Sequence, residues 1–211
     1  MTKEINAGHF SKWLKQTLSN QKNKQDADVP CGSCTACCRS SQFIHIKPEE
    51  IKTLKKIPKN LLFPAPNLPK GNLLMGYNNK GECPMFIDSK CSIYADRPQT
   101  CRIYDCRIFS ATEIELNAEA QLAIREQARR WRFEYLSEAD KIDQAAVLAA
   151  ANFITKNRDN FLPKVLPNHP AVLANLALKV HHIFLEEAGE PTAVTRTASE
   201  TAQAILKILD V

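Results

Sequence analysis

Four of the chain's eight cysteines fall between Cys31 and Cys38, in the run Cys31-Gly-Ser-Cys34-Thr-Ala-Cys37-Cys38. The others follow at Cys83, Cys91, Cys101 and Cys106. Thiolates are soft metal ligands, and two cysteines with two residues between them can turn back so that both sulfurs reach one ion. Cys31, Cys34 and Cys37 can therefore supply three ligands from one tight loop, leaving a fourth to come from elsewhere. In an extended chain adjacent side chains point to opposite sides, so Cys38 does not easily join the metal of Cys37. It serves a second site or stands as a spare thiol near the first. Disulfides explain the run less well, because neighbouring Cα atoms sit ~3.8 Å apart and disulfide partners ~4.4–6.8 Å apart.

Three close cysteines with a distant Cys83-Pro84 are similar to ferredoxin ligation. Zinc accepts four thiolates equally well, but structural zinc sites commonly use two short Cys-x2–4-Cys knuckles. This chain has no second one after Cys31–Cys34, and Cys101-x4-Cys106 is a looser pair. The spacing favours an iron–sulfur cluster over zinc and leaves both open. A four-thiolate site of either kind carries about two negative charges. Arg97 and Arg102, beside the last cysteines, suit the task of offsetting them and donating N–H bonds to sulfur. Arg39 and Arg107 also flank cysteines, and surface acids such as Asp96 or Asp105 are the competing partners. Tyr94 and Tyr104 fit packing better than redox relay. His45, a few residues past the cluster, is the one histidine placed to act as an alternative ligand.

These residues must be positioned by the rest of a 211-residue chain, 44% hydrophobic and 24% charged. Its formal charge of +5 counts cysteine as neutral. Two zinc ions on eight thiolates would bring that to about +1, and one cluster of charge +2 on four thiolates to about +3. The basic excess is thus weak evidence for a polyanion partner. Phe10, Trp13, Leu14 and Leu18 mark one face of a helix over about 3–21, which argues against a signal peptide. The most apolar run, Ala145 to Ala151, is too short to cross a bilayer. A cytoplasmic setting follows, where clustered thiols more often hold metal than form disulfides.

All cysteines and most prolines precede residue 110, and residues 111–211 are rich in Ala, Leu, Glu and Arg. The expected architecture is mainly α, with a small irregular cysteine-rich metal-binding domain over 1–110 on a helical domain over 111–211. Phe43 to Ile46 predicts a short strand, and Pro48 with Glu49 and Glu50 opens a helix along Ile51, Leu54 and Ile57. The proline-rich stretch 57–72 predicts an ordered loop. Leu73–Tyr77 and Cys83–Ile87, joined by Asn78-Asn-Lys-Gly81, predict a hairpin. Four helices are predicted near 113–136, 139–156, 170–187 and 198–209. Gly189 suits a helix end, and Thr197 to Glu200 has the spacing of a capping box. Leu173, Leu176, Val180 and Phe184 form one stripe.

The blocks Cys31-x2-Cys34-x2-Cys37-Cys38, Cys83-Pro-Met-Phe, Cys91-Ser-Ile-Tyr and Arg97-Pro-x2-Cys101-Arg-x-Tyr-x-Cys106 together resemble the CxxCxxCC cysteine-cluster family, often called YkgJ-type and described as zinc- or iron-chelating. The resemblance covers roughly residues 30–107 and implies that Cys31, Cys34, Cys37, Cys38, Cys83, Cys91, Cys101 and Cys106 all belong to the metal motif. The same label has been attached to flagellin lysine N-methylases, so it implies a metal centre more firmly than a reaction.

Three functions compete. The first is a non-catalytic module whose centre is structural or carries electrons, with a protein partner on the helices. The second is a metal-dependent enzyme, such as a protein-lysine methyl-transfer catalyst with an open metal position. The third is a zinc-type nucleic-acid binder. The first leads, because no general base can be named and Gly-rich phosphate loops and dinucleotide fingerprints are missing. Arg125, Arg129, Arg130 and Arg132 are interleaved with Glu126 and Glu134, so a solvated helix face is favoured there over nucleic acid. His181-His182 diverge by ~100° on a helix and make a poor metal pair.

Overall fold

The computed structural model describes residues 3–161, 165–185 and 196–209. In chain order the elements are β1 (Ile5–His9), α1 (Phe10–Asn23), β2 (Ile44–Ile46), α2 (Ile51–Lys56), β3 (Leu62–Pro64), β4 (Leu73–Met75), β5 (Phe86–Ile87) and β6 (Lys90–Cys91). Then come α3 (Gln99–Arg102), α4 (Arg107–Thr112), α5 (Leu122–Ala128), β7 (Trp131–Glu134), α6 (Glu138–Lys156), α7 (Pro170–Val180) and α8 (Ala198–Ile208). Helix predominates, as expected. Among the described residues no helix is long and apolar enough to cross a membrane.

The chain divides into two compact units, each built from separate stretches. One comprises Met1–Leu18, Cys106–Glu115 and Ala128–Val211; the other comprises Ser19–Asp105 and Leu116–Gln127. This differs from a single cut near residue 110. Residues 1–18 group with the helical half, and 116–127 group with the cysteines.

In the helical unit, α6 starts at a capping box in which Ser137 and Asp140 exchange side-chain and backbone bonds. Its Ala146, Val147, Ala150, Ala151 and Ile154 recur at helical spacing and are buried. All of these but Val147 pack with Leu173, Leu176, Val180 and Phe184, the expected stripe, and with Ala202 and Ile205 of α8. Thr197 and Glu200 form the expected capping box of α8. The end of the third predicted helix, at 186–187, and Gly189 lie outside the described residues.

Two helices predicted from periodicity form differently. The first begins at Phe10, because residues 5–9 pair as β1 in parallel with β7, from Ile5 opposite Trp131 to His9 opposite Glu134. The register slips between Asn6 and Gly8, where Gly8 takes a φ of 89° that its missing Cβ permits. Phe10, Trp13 and Leu14 are still buried together, with Phe10 5.1 Å and Trp13 4.7 Å from the ring of Phe133. The helix predicted over 113–136 is broken into α5 and β7. Glu113 is left-handed at φ 53° and ends α4. Trp131-Arg-Phe-Glu-Tyr135 alternates apolar and polar residues, a period of two that suits a strand.

In the cysteine unit, β4 lies between β2 and β3 in an antiparallel sheet. The hairpin predicted over 73–87 does not form. Asn78 closes its own turn by accepting from Lys80 N at 2.9 Å and Glu82 N at 3.0 Å. The chain then turns to the cysteine loop, with Ser41 N–H on Gly81 O and Cys83 N–H on Cys38 O, each 2.8 Å. The hairpin is β5–β6 instead. Its two-residue turn, Asp88 and Ser89, has both φ angles positive, as a type I′ turn requires. The stretch 57–72, expected as loop, contains β3. Ile46, Ile57, Met75, Met85 and Ile93 form this unit's core, with Cys83 and Cys91 packed against it.

Asp140 carries the largest acid-dependent contact of the helical unit. Its carboxylate accepts from the Ser137 hydroxyl at 2.6 Å, and from the Ser11 and Ser137 amides at 2.9 Å each. These bonds hold it well below the usual carboxylate range, the Ser137 hydroxyl contributing most. A depressed folded value means that the stabilisation is present above the ordinary carboxylate pKa and is lost as pH falls through the folded one. Asp140→Asn is expected to lower the melting temperature at neutral pH, and the gap to wild type should narrow below about pH 4. Thermal unfolding followed by circular dichroism across pH checks this.

Candidate metal centre

Each cysteine is placed by a short backbone device. Cys31 and Cys34 bracket a tight turn, with Cys34 N–H on Cys31 O at 2.9 Å and Gly32 left-handed at φ 55°. Cys37 and Cys38 sit on a 3-10 turn, Ala36–Arg39, pinned by the buried Ser40 hydroxyl on Ala36 O at 2.7 Å. At three residues per turn, neighbours diverge by about 120°. Cys38 accordingly turns inward, while Cys37 is exposed. Both line the same cavity, Cys37 from its exposed side and Cys38 from a half-buried position.

Cys83 is drawn to the loop by its amide bond to Cys38. Cys91 ends β6, where it pairs with Phe86. Cys101 rides on α3, which is tied down on three sides. Glu50 accepts from Gln99 N at 2.6 Å, the Thr100 hydroxyl donates to His45 O at 2.8 Å, and Ala27 N donates to Arg102 O at 2.8 Å.

The outcome is one cavity of about 490 Å³ within the cysteine unit, lined by Cys31, Cys34, Cys37, Cys38, Cys83, Cys91 and Cys101. Its charged lining residues are Lys90, Arg97 and Arg102, without a single Asp or Glu. Met75, Met85 and Ile93 supply apolar wall. Cys38 and Cys101 are each pushed up to about 12, by burial first and then by Cys83, with Cys91 adding to both, Cys34 to Cys38, and Cys38 to Cys101. Cys83 is raised for the same leading reason. Opposing this, Arg39 favours the Cys38 thiolate and Arg97 that of Cys101. As they stand, no three Cys, His, Asp or Glu side chains among the described residues are gathered tightly enough to enclose an ion. The donor chemistry nevertheless fits a soft cation: several thiols, of which burial makes Cys38, Cys83 and Cys101 costly to ionise alone, face one space walled by cations.

Other expected site residues are placed as follows. Arg97 lies 4.2 Å over the Tyr94 ring and donates to Tyr94 O at 2.9 Å. Tyr94 is 66% exposed, so it steadies Arg97 from outside and is not the packing residue expected. Arg102 pairs with Asp26 at 3.1 Å and donates to Arg97 O at 2.7 Å, so part of its charge is spent on a carboxylate. Arg107 is buried in the helical unit and donates to Ala7 O. Tyr104 lines the cavity, while His45 bonds Asn72 through Nε2 at 2.8 Å and is not in the lining. His181 Nδ1–H donates to Leu178 O, 2.7 Å away, and burial holds it below its usual value. The sequence reading missed Asp26, Ser40 and Glu50. Only Glu50 carried a signal, as an acid at a helix start.

Residues 30–129 match the CxxCxxCC family, described as "Putative zinc- or iron-chelating domain". That stretch is similar to this family over a little under half of the chain. No curated protein and no solved structure matches the chain. The matched stretch contains all eight cysteines, yet Cys106 lies in the other unit. There its thiol accepts from the indole N–H of Trp131 at 3.2 Å, and both residues are buried.

Removing that acceptor should strand a buried donor. Cys106→Ala is expected to cost about 1–3 kcal/mol of stability, and Cys106→Ser, which can still accept, less. Urea unfolding followed by tryptophan fluorescence measures both.

Proposed function

We propose that the domain holds an iron–sulfur cluster through Cys38, Cys83, Cys91 and Cys101, in a role that is structural and electron-carrying. The observation behind it is the convergence of seven thiols on one cavity whose charged walls are all cationic. Within the seven, these four are bound together most closely. Cys38 and Cys83 share a backbone hydrogen bond, Cys83 and Cys91 pack on the same core, Cys101 senses the other three, and Cys38 senses Cys83 and Cys91. Cys34 lies beside this group, and Cys31 and Cys37 are exposed at its rim.

A cavity of about 490 Å³ leaves room for a multi-atom cluster, whereas a lone tetrahedral zinc draws four sulfurs to ~2.3 Å. Bound here, such a cluster would supply one-electron transfer. The chain's own residues prepare for its charge. Arg97 and Arg39 stabilise thiolates, while Met75, Met85 and Ile93 keep water off one side. The four ligands are spread over four short elements with little regular structure between them, so loading also orders the unit.

Purification without oxygen, followed by visible absorption and iron, sulfide and zinc analysis, tests this reading. A brown protein with iron and sulfide in equal amounts is expected. Zinc in a colourless protein would overturn the cluster, and the lack of any metal would overturn the whole reading. Cys38→Ser should lose most of the metal, with Cys37→Ser and Cys106→Ser retaining it; the reverse pattern would sink the quartet.

A further inference from the structure

From Ile51 to Gly81 the chain contains six lysines and not one acidic residue. Lys52, Lys55, Lys56, Lys59, Lys70 and Lys80 are all exposed, and none forms an ion pair among the described residues. This acid-free stretch builds α2, β3 and β4. The arginine run weighed from sequence lies elsewhere and is interleaved with glutamates, so the two surfaces differ in kind.

The sheet has two unlike faces. Ile44, Met75 and Leu62 stand opposite one another across its strands and pack into the core. His45, Leu74 and Phe63 form the next row, on the other face. There Phe63 meets Phe43, with ring centroids 6.1 Å apart, and Phe43 meets Tyr77 at 5.2 Å. The three rings are 57% (Phe43), 39% (Phe63) and 44% (Tyr77) exposed. Gly76 lies under them: a Cβ there would come within 3.5 Å of Phe43 and 3.7 Å of Phe63. Lys59 precedes β3, Lys80 follows Tyr77, and Lys70 lies in the loop joining β3 to β4. Cations therefore stand at both ends of the ringed face.

We infer that this face binds single-stranded nucleic acid, with bases stacked on Phe43, Phe63 and Tyr77 and phosphates met by Lys59, Lys70 and Lys80. Exposed rings beside uncompensated cations answer the two needs of such a ligand, a π surface for bases and positive charge for the backbone. A second copy of this chain would bring like charges together. An acidic protein would satisfy the lysines but has no particular need of three open rings. The inference goes beyond the metal reading and does not depend on it.

The test uses the full chain as purified, with fluorescein-labelled 20-nucleotide oligo-dT and oligo-U followed by anisotropy. Binding is expected at about 50 mM salt, with a log–log salt slope near −2 for three phosphate contacts. Phe63→Ala and Tyr77→Ala should each weaken it by about tenfold or more at an unchanged slope. Lys59→Gln and Lys80→Gln should each reduce the slope by about 0.7. Absence of binding at low salt, or equal binding to a duplex of the same length, would overturn the inference. So would equally effective competition by poly-L-glutamate, which would point to an acidic protein partner. Metal content measured on every sample separates loss of this surface from loss of the cysteine site.

Discussion

Several thiols share one small space, and that crowding governs the cysteine unit. A thiolate removed from water is costly, and each further one beside it costs more, because Coulomb repulsion grows as the local dielectric falls. Left protonated, Cys38, Cys83 and Cys101 are tolerable neighbours; ionised together, they need positive charge. The unit's architecture follows from that need. The lining contains no carboxylate, guanidinium groups approach Cys38 and Cys101, and α3 is fastened by Glu50, His45 and Ala27. Little regular structure would hold Cys38, Cys83, Cys91 and Cys101 together otherwise. The sheet is only three residues long per strand, and the hairpin only two.

The helical unit is organised on different terms. Its core is a stripe of alanines on α6 facing larger residues on α7 and α8, a close helix contact that small side chains permit. Trp131 is wholly buried and needs a partner for its indole N–H, and Cys106 supplies it. That sulfur therefore has a polar task of its own in this unit. The eight cysteines thus fall into two units with different neighbours, seven around the cavity and Cys106 against Trp131.

What was legible in the sequence divides along the same physical line. The helices over 170–180 and 198–208 could be read because a repeating apolar stripe and a capping box are local signals. The match of the cysteine blocks was legible for the same reason. Pairing partners were not. Leu73–Met75 looked like half of a hairpin, yet its neighbours are Ile44–Ile46 and Leu62–Pro64, one of them nearly thirty residues away. Residues 5–9 looked helical because nothing near them announces a strand whose partner begins at Trp131. The inward turn of Cys38 depends on a 3-10 geometry that alternation arguments do not anticipate. The acid-free stretch from Ile51 to Gly81 was readable by inspection, but only the sheet shows that rings share its surface.

The pairing of β1 with β7 also bears on how the protein is made. During synthesis the first strand leaves the ribosome well over a hundred residues before its partner exists. At about 5–20 residues per second, it waits on the order of ten seconds with its edge unpaired. Every cysteine is produced within that interval. The thiols can therefore emerge, meet metal and begin to settle while the helical unit is still incomplete, so in the cell the order of assembly is set by position in the gene before it is set by stability.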